Sequence, residues 1–210
     1  MNFPFFASFI LFIIFLALWL RRSSKKETKA NEAYWEKELQ ANSTRRKSLD
    51  SLPYVAIPFD TLPMDILPED PEIAKVHQTL QTLSKTKMVN FTGKTNTELK
   101  LEYGAPNINI LTEYDQNYTE LIITLNKWAS LLTEHQKIAA ARTVLEFAVD
   151  IGSDINSTYK MLADIYLDHD PDKITVLISK AKKLPNPTGK NDRLTAMLEA
   201  MDVHTLFDNF

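Results

Sequence analysis

Apolar positions follow three different patterns along the chain, and each predicts a different kind of element. From Phe3 to Leu20 every residue except Pro4 and Ser8 is apolar, and none is charged. As a helix this run would be about 27 Å long at roughly 1.5 Å per residue, close to the ~30 Å hydrocarbon core of a bilayer. Residues 1–20 are therefore expected to form a transmembrane anchor. Over 51–69 the pattern changes: Pro53, Pro58, Pro63 and Pro68 fall five apart and exclude a helix. Tyr54, Val55, Ile57, Phe59, Leu62, Met64, Ile66 and Leu67 lie between them, too many apolar groups for a free linker. The expectation is an extended strap packed along the domain that follows, with a docking segment for a partner as the alternative.

From residue 70 the helical period takes over. Asp70-Pro71-Glu72 reads as a helix start, with Asp70 as cap, and Ile73, Val76, Leu80 and Leu83 carry that helix to about Lys87. The stretch 88–111 is irregular; Leu99, Leu101 and Tyr103 alternate, which predicts a short strand or hairpin arm ended by Gly104 and Pro106. Beyond Thr112, Tyr118, Leu121, Ile122, Leu125, Trp128, Ala129 and Leu132 form one apolar stripe, and Ile138, Ala141, Val144, Leu145 and Ala148 a second that ends at Gly152. Residues 158–169 predict a third helix. A fourth follows Asp170-Pro171, with Asp170 as its cap, and a last one runs from about Asp192 to His204. The fold class is all-α.

Charge adds a direction to this layout. Residues 21–50 hold nine Lys or Arg against five acids, whereas residues 70–210 hold fifteen against nineteen. Trp19 stands at the end of the apolar run, followed by Arg21, Arg22, Lys25 and Lys26, an aromatic and basic membrane interface. The positive-inside rule then places the N-terminus outside and the rest in the cytoplasm of a bacterial or plasma membrane. A cleaved secretory signal is the competing reading, but only Met1 and Asn2 precede the run, and Ala17-Leu18-Trp19 puts bulky residues at the boundary. Residues 21–50 are expected to form a basic juxtamembrane helix lying near anionic headgroups. Nucleic-acid binding is disfavoured, because acids interleave the cations and the remainder of the chain is acidic.

The stripes also repeat. Leu125, Trp128, Ala129 and Leu132 are followed 34 positions later by Tyr159, Leu162, Ala163 and Tyr166. Ala141, Leu145 and Ala148 correspond to Ile174, Ile178 and Ala181 after a one-residue deletion. This pattern resembles the tetratricopeptide repeat, W-x2-L-G-x2-Y followed by A-x3-F-x2-A and often a proline, over repeats at about 122–153 and 156–187 within a domain spanning 70–210. Alanine stands for the usual glycine, Leu145 and Ile178 for phenylalanine, and Ser153 for the proline of the first copy. The resemblance implies stacked helical hairpins whose first helices line a groove, with Asn126, Ser130, Lys160 and Asp164 as partner-binding candidates.

Local chemistry is sparse. With no cysteine, disulfides and thiolate chemistry are excluded. Gly93-Lys94-Thr95 lacks the earlier glycine of a phosphate loop and reads as a turn. His77, His135, His169 and His204 have no metal-ligand spacing and read as solvated helix residues. Asp168, Asp170 and Asp172 alternate without the glycine and glutamate of a calcium loop. No metal, cofactor or catalytic residue is expected. The functional expectation is a membrane-anchored cytoplasmic scaffold or adaptor for a protein or peptide; the alternative is a membrane-tethered enzyme or subunit with a site in 88–111.

Overall fold

The computed structural model describes residues 3–186 and 189–202; the side chains of residues 3–10, 17, 22–27, 30 and 190 lie outside the described set. Eight α-helices are present among the described residues, and no strand: α1 (Phe3–Ser43), α2 (Pro71–Leu83), α3 (Asn96–Tyr103), α4 (Ile108–Glu134), α5 (Ile138–Asp150), α6 (Asn156–His169), α7 (Lys173–Lys182) and α8 (Lys190–Met201). The chain divides into two units, residues 1–48 with 95–108, and residues 49–94 with 109–210.

In the first unit α1 is one continuous helix through the expected anchor and on to Ser43. Among the described residues no helix is long and apolar enough to cross a membrane. The expected anchor begins with side chains outside that set. Arg22, Lys25 and Lys26 of the proposed interface also lie outside it, while Trp19 and Arg21 are exposed. Residues 95–107 fold back on the end of α1. The expected strand at 99–103 is instead the helix α3, because Thr95 and Glu98 form a reciprocal capping box that satisfies its first turn. A local cap thus decides a segment whose alternation alone suggested a strand.

Lys100 and Thr97 of α3 both bond the Glu38 carboxylate, Lys100 Nζ also reaches Asn42 Oδ1 at 2.8 Å, and Ala41 is fully buried. Gly104 makes the fit possible: at φ 96° a Cβ there would lie 2.2 Å from the Arg45 carbonyl oxygen. Asn107 then ties the return, its Nδ2 donating to Lys47 O and Tyr103 O, both at 2.8 Å.

In the second unit the prolines produce turns more than extension. The Pro58 and Pro63 carbonyls accept from the N–H groups of Thr61 and Ile66, three residues on, at 3.0 and 3.2 Å. Leu52 and Leu62 are buried and Val55, Ile57, Phe59 and Met64 pack on the core, so the segment is coiled and fastened to it. Asp70 caps α2, accepting from Glu72 and Ile73 at 2.9 and 3.0 Å. That helix ends at Leu83, four residues before the expected point, and α4 begins four residues before Thr112.

The helices from α4 onward form two layers. Asn126 of α4 bonds Ser157 and Thr158 of α6, and α6 in turn packs on α8, so alternate helices are neighbours. In the other layer Glu146 and Asp150 of α5 pair with Lys173 and Lys180 of α7. The residues spaced 34 apart meet in the core between layers: Leu125, Trp128, Ala129 and Leu132, and Tyr159, Leu162, Ala163 and Tyr166, are all buried. So are Ala141, Leu145 and Ala148 and their counterparts Ile174, Ile178 and Ala181. The fully buried alanines of α4 and α6 leave room for close approach of neighbouring helices, and the large residues beside them fill the seam.

Candidate functional site

The four groove candidates fall on two neighbouring helices. Residues three and four apart share a helix face, so Ile123, Asn126 and Ser130 form one stripe on α4, and Ser157, Lys160 and Asp164 one on α6. The stripes are joined where Asn126 Nδ2 donates to Ser157 Oγ at 3.0 Å and to Thr158 Oγ1 at 2.9 Å, while Ser157 Oγ donates back to Asn126 Oδ1 at 3.2 Å. Asn126 therefore holds one helix to the next, with its amide engaged. Ser130 donates to Glu134 along its own helix at 3.2 Å. Lys160 and Asp164 are exposed one turn apart on α6, and Ile123, one turn before Asn126 on α4, is 56% exposed. The surface thus offers the Lys160 cation, the Asp164 and Glu134 carboxylates and the aliphatic Ile123 along a seam.

A cavity of about 270 Å³ lies between α5, α6 and α7, floored by Val149, Leu162 and Leu177. Its charged groups are spent on one another. Glu146 Oε1 accepts from Arg142 Nε and Tyr166 Oη, both at 2.9 Å, and lies 3.6 Å from Lys173 Nζ; Asp150 pairs with Lys180. Burial pushes the Glu146 carboxyl up, but the bonds from Arg142 and Tyr166 and the nearby cations outweigh it and hold the group below its ordinary value. Burial and the same carboxylate raise the Tyr166 hydroxyl, whose ring also carries Arg142 and Lys173 over its face at 5.3 and 5.6 Å. At this size and with its ions paired, the cavity is a joint between helices, below the roughly 300–1,000 Å³ of ordinary ligand sites.

Asp170 belongs to this joint and corrects an expectation. Its carboxylate is taken by Arg142 Nη1 at 2.6 Å, and α7 starts at Lys173 with no side-chain cap. An ion pair across elements has displaced the local cap that the Asp-Pro pair suggested.

The irregular stretch 88–111 is split between the units. Its first part is anchored by Asn90, whose Nδ2 donates to Tyr118 Oη at 2.9 Å and to the Ile151 and Gly152 carbonyls at 3.3 and 3.2 Å. Phe91 N–H donates to Asp115 at 3.3 Å, and burial raises that carboxyl despite the bond. Gly93 forms the expected turn at φ 84°, pressed on Pro185. Asn90 was invisible in the sequence, because its partners lie about 30 and 60 residues away.

The histidines divide. His135 lies 3.4 Å from Asp70 and His169 meets the Ile165 carbonyl, while His204 falls outside the described residues. His77 is buried rather than solvated, edge-on to Trp128 with ring centroids 5.1 Å apart, and its Nε2 has no partner. Burial lowers its pKa. No group of acids and histidines able to hold a metal occurs among the described residues. Neither a family model, a curated protein nor a solved structure matches this chain.

Proposed function

We propose that the chain is a single-pass membrane-anchored adaptor whose cytoplasmic, tetratricopeptide-like helical repeats bind a protein segment along the α4–α6 seam. The observation that carries this reading is the 34-residue register: corresponding residues of two successive hairpins occupy corresponding buried positions in a two-layer stack. Stacked hairpins bury one face against their neighbours and leave the other as an extended surface, the arrangement that suits partner binding. Lys160 and Asp164 supply charge on that surface and Ile123 an apolar contact. The test is co-purification: Lys160→Glu with Asp164→Lys, in a full chain of unchanged helicity, abolishes recovery of the partner. Unchanged recovery refutes the assignment of the seam.

The anchor is supported by α1 itself. Leu11 to Leu16 are apolar around the whole helix and 39 to 67% exposed, a surface that water does not tolerate at this size. Topology is readable without a reporter, since Asn156-Ser157-Thr158 is a glycosylation acceptor sequence with Asn156 exposed. Translated into microsomes, the chain is expected to stay unglycosylated at Asn156; a glycan there places the domain on the far side.

A further inference from the structure

We propose that Ser48 is the acceptor for an arginine-directed serine kinase, and that its phosphate loosens the clasp of residues 95–107 on the end of α1. The recognition elements are contiguous: Arg45 and Arg46 stand three and two residues before Ser48, and the apolar Leu49 follows it. Kinases that select substrates by charge pattern hold such arginines in acidic pockets. Residues 45–48 lie beyond the last turn of α1, outside any helix, and all four are exposed. The proposal rests on the cytoplasmic placement above, which brings the segment to the side of the membrane that holds ATP.

The transfer balances without any redox partner. Ser48 Oγ attacks the γ-phosphorus of ATP, the new Oγ–P bond replaces the bond to ADP, and the hydroxyl proton passes to the kinase's catalytic carboxylate. The product carries about −1.5 to −2 charge at neutral pH.

That charge arrives beside the group that caps α3. Lys47 Nζ donates to the carbonyls of Leu101 and Glu102 at 3.1 and 2.9 Å, placing a cation at the negative end of the helix. Lys47 N–H also donates to Tyr103 O at 3.1 Å, and its carbonyl accepts from Asn107. A phosphate on the next residue competes for the Lys47 ammonium and sets negative charge against the C-terminal end of α3 and Glu102. Both effects work against docking of α3, because a phosphate at a helix C-terminus repels where one at an N-terminus attracts.

The experiment uses the full chain in detergent micelles, labelled ATP and the catalytic subunit of an arginine-directed serine kinase. The expected result is phosphate on Ser48, absent in Ser48→Ala, with kcat/KM reduced about tenfold or more by Arg45→Ala or Arg46→Ala. Phosphorylation also speeds amide exchange over residues 96–107, and unphosphorylated Lys47→Met shows a smaller increase in the same amides. The site is overturned if a peptide of residues 43–52 is phosphorylated and the folded chain is not, or if incorporation persists in Ser48→Ala. The loosening is overturned if exchange over 96–107 is unchanged after stoichiometric modification. None of these readouts depends on topology, which the microsome assay reads separately.

Discussion

Substituting Ala163 by leucine probes the stack where it has least room. Ala163 is fully buried between α6 and its neighbours, and so is Ala129, its counterpart 34 residues earlier. Leucine adds three carbons where no space is free, and such overpacking costs about 1–3 kcal/mol. At roughly 2–4 °C per kcal/mol for a chain of this length, a cost near ~2 kcal/mol lowers the thermal midpoint by about 4–8 °C. The assay is circular dichroism melting of the full chain in one detergent, with Ala129→Leu beside it and Lys160→Ala as control. If the two alanines are equivalent repeat positions, both variants fall by similar amounts, while the exposed Lys160→Ala stays within about 2 °C. A wild-type midpoint for Ala163→Leu refutes the close approach inferred at this residue. A drop confined to one alanine refutes their equivalence.

Three further outcomes follow from the geometry. Asn126→Ala leaves the fully buried Thr158 hydroxyl without its partner and should cost about 1–3 kcal/mol, read as a lower midpoint in the same melts. Gly104→Ala forces a Cβ against the Arg45 carbonyl at φ 96° and should open the clasp, read as faster amide exchange over residues 96–107, whereas unchanged exchange would show that the turn tolerates a side chain. His77 has a folded-state pKa below its unfolded value near 6.5, so the unfolded chain binds the proton more readily. Stability is therefore full above about pH 6.5 and falls as pH drops below it; His77→Leu should flatten that part of the midpoint-against-pH curve, and an identical slope would contradict the burial argument.

Much of the second unit was legible because its determinants are periodic. The stripes of α4 to α7 and the Asp70 cap depend on residue types at fixed spacing, and every stripe position is buried except the half-buried Ile138. What the sequence hid was set by groups far apart along the chain. The alternation of Leu99, Leu101 and Tyr103 yields to a helix once Glu98 caps it and Glu38, about sixty residues away, takes Lys100 and Thr97. Asp170 leaves its expected capping role for Arg142, and His77 is buried against Trp128, contacts with no local signature. Of the groove candidates, Lys160 and Asp164 are exposed as their helix phase implied, whereas Asn126 sits at a joint that only the pairing of α4 with α6 reveals.

The adaptor reading is tested most directly by a photo-crosslinking residue placed at one position at a time in living cells. Position 160 or 164 samples the proposed seam, and position 176, an exposed valine on α7, samples the opposite layer. A discrete protein adduct is expected from 160 and 164, absent from 176 and lost when Ile123 is changed to Asp. Equal adducts from both layers, or none from the seam, would contradict it.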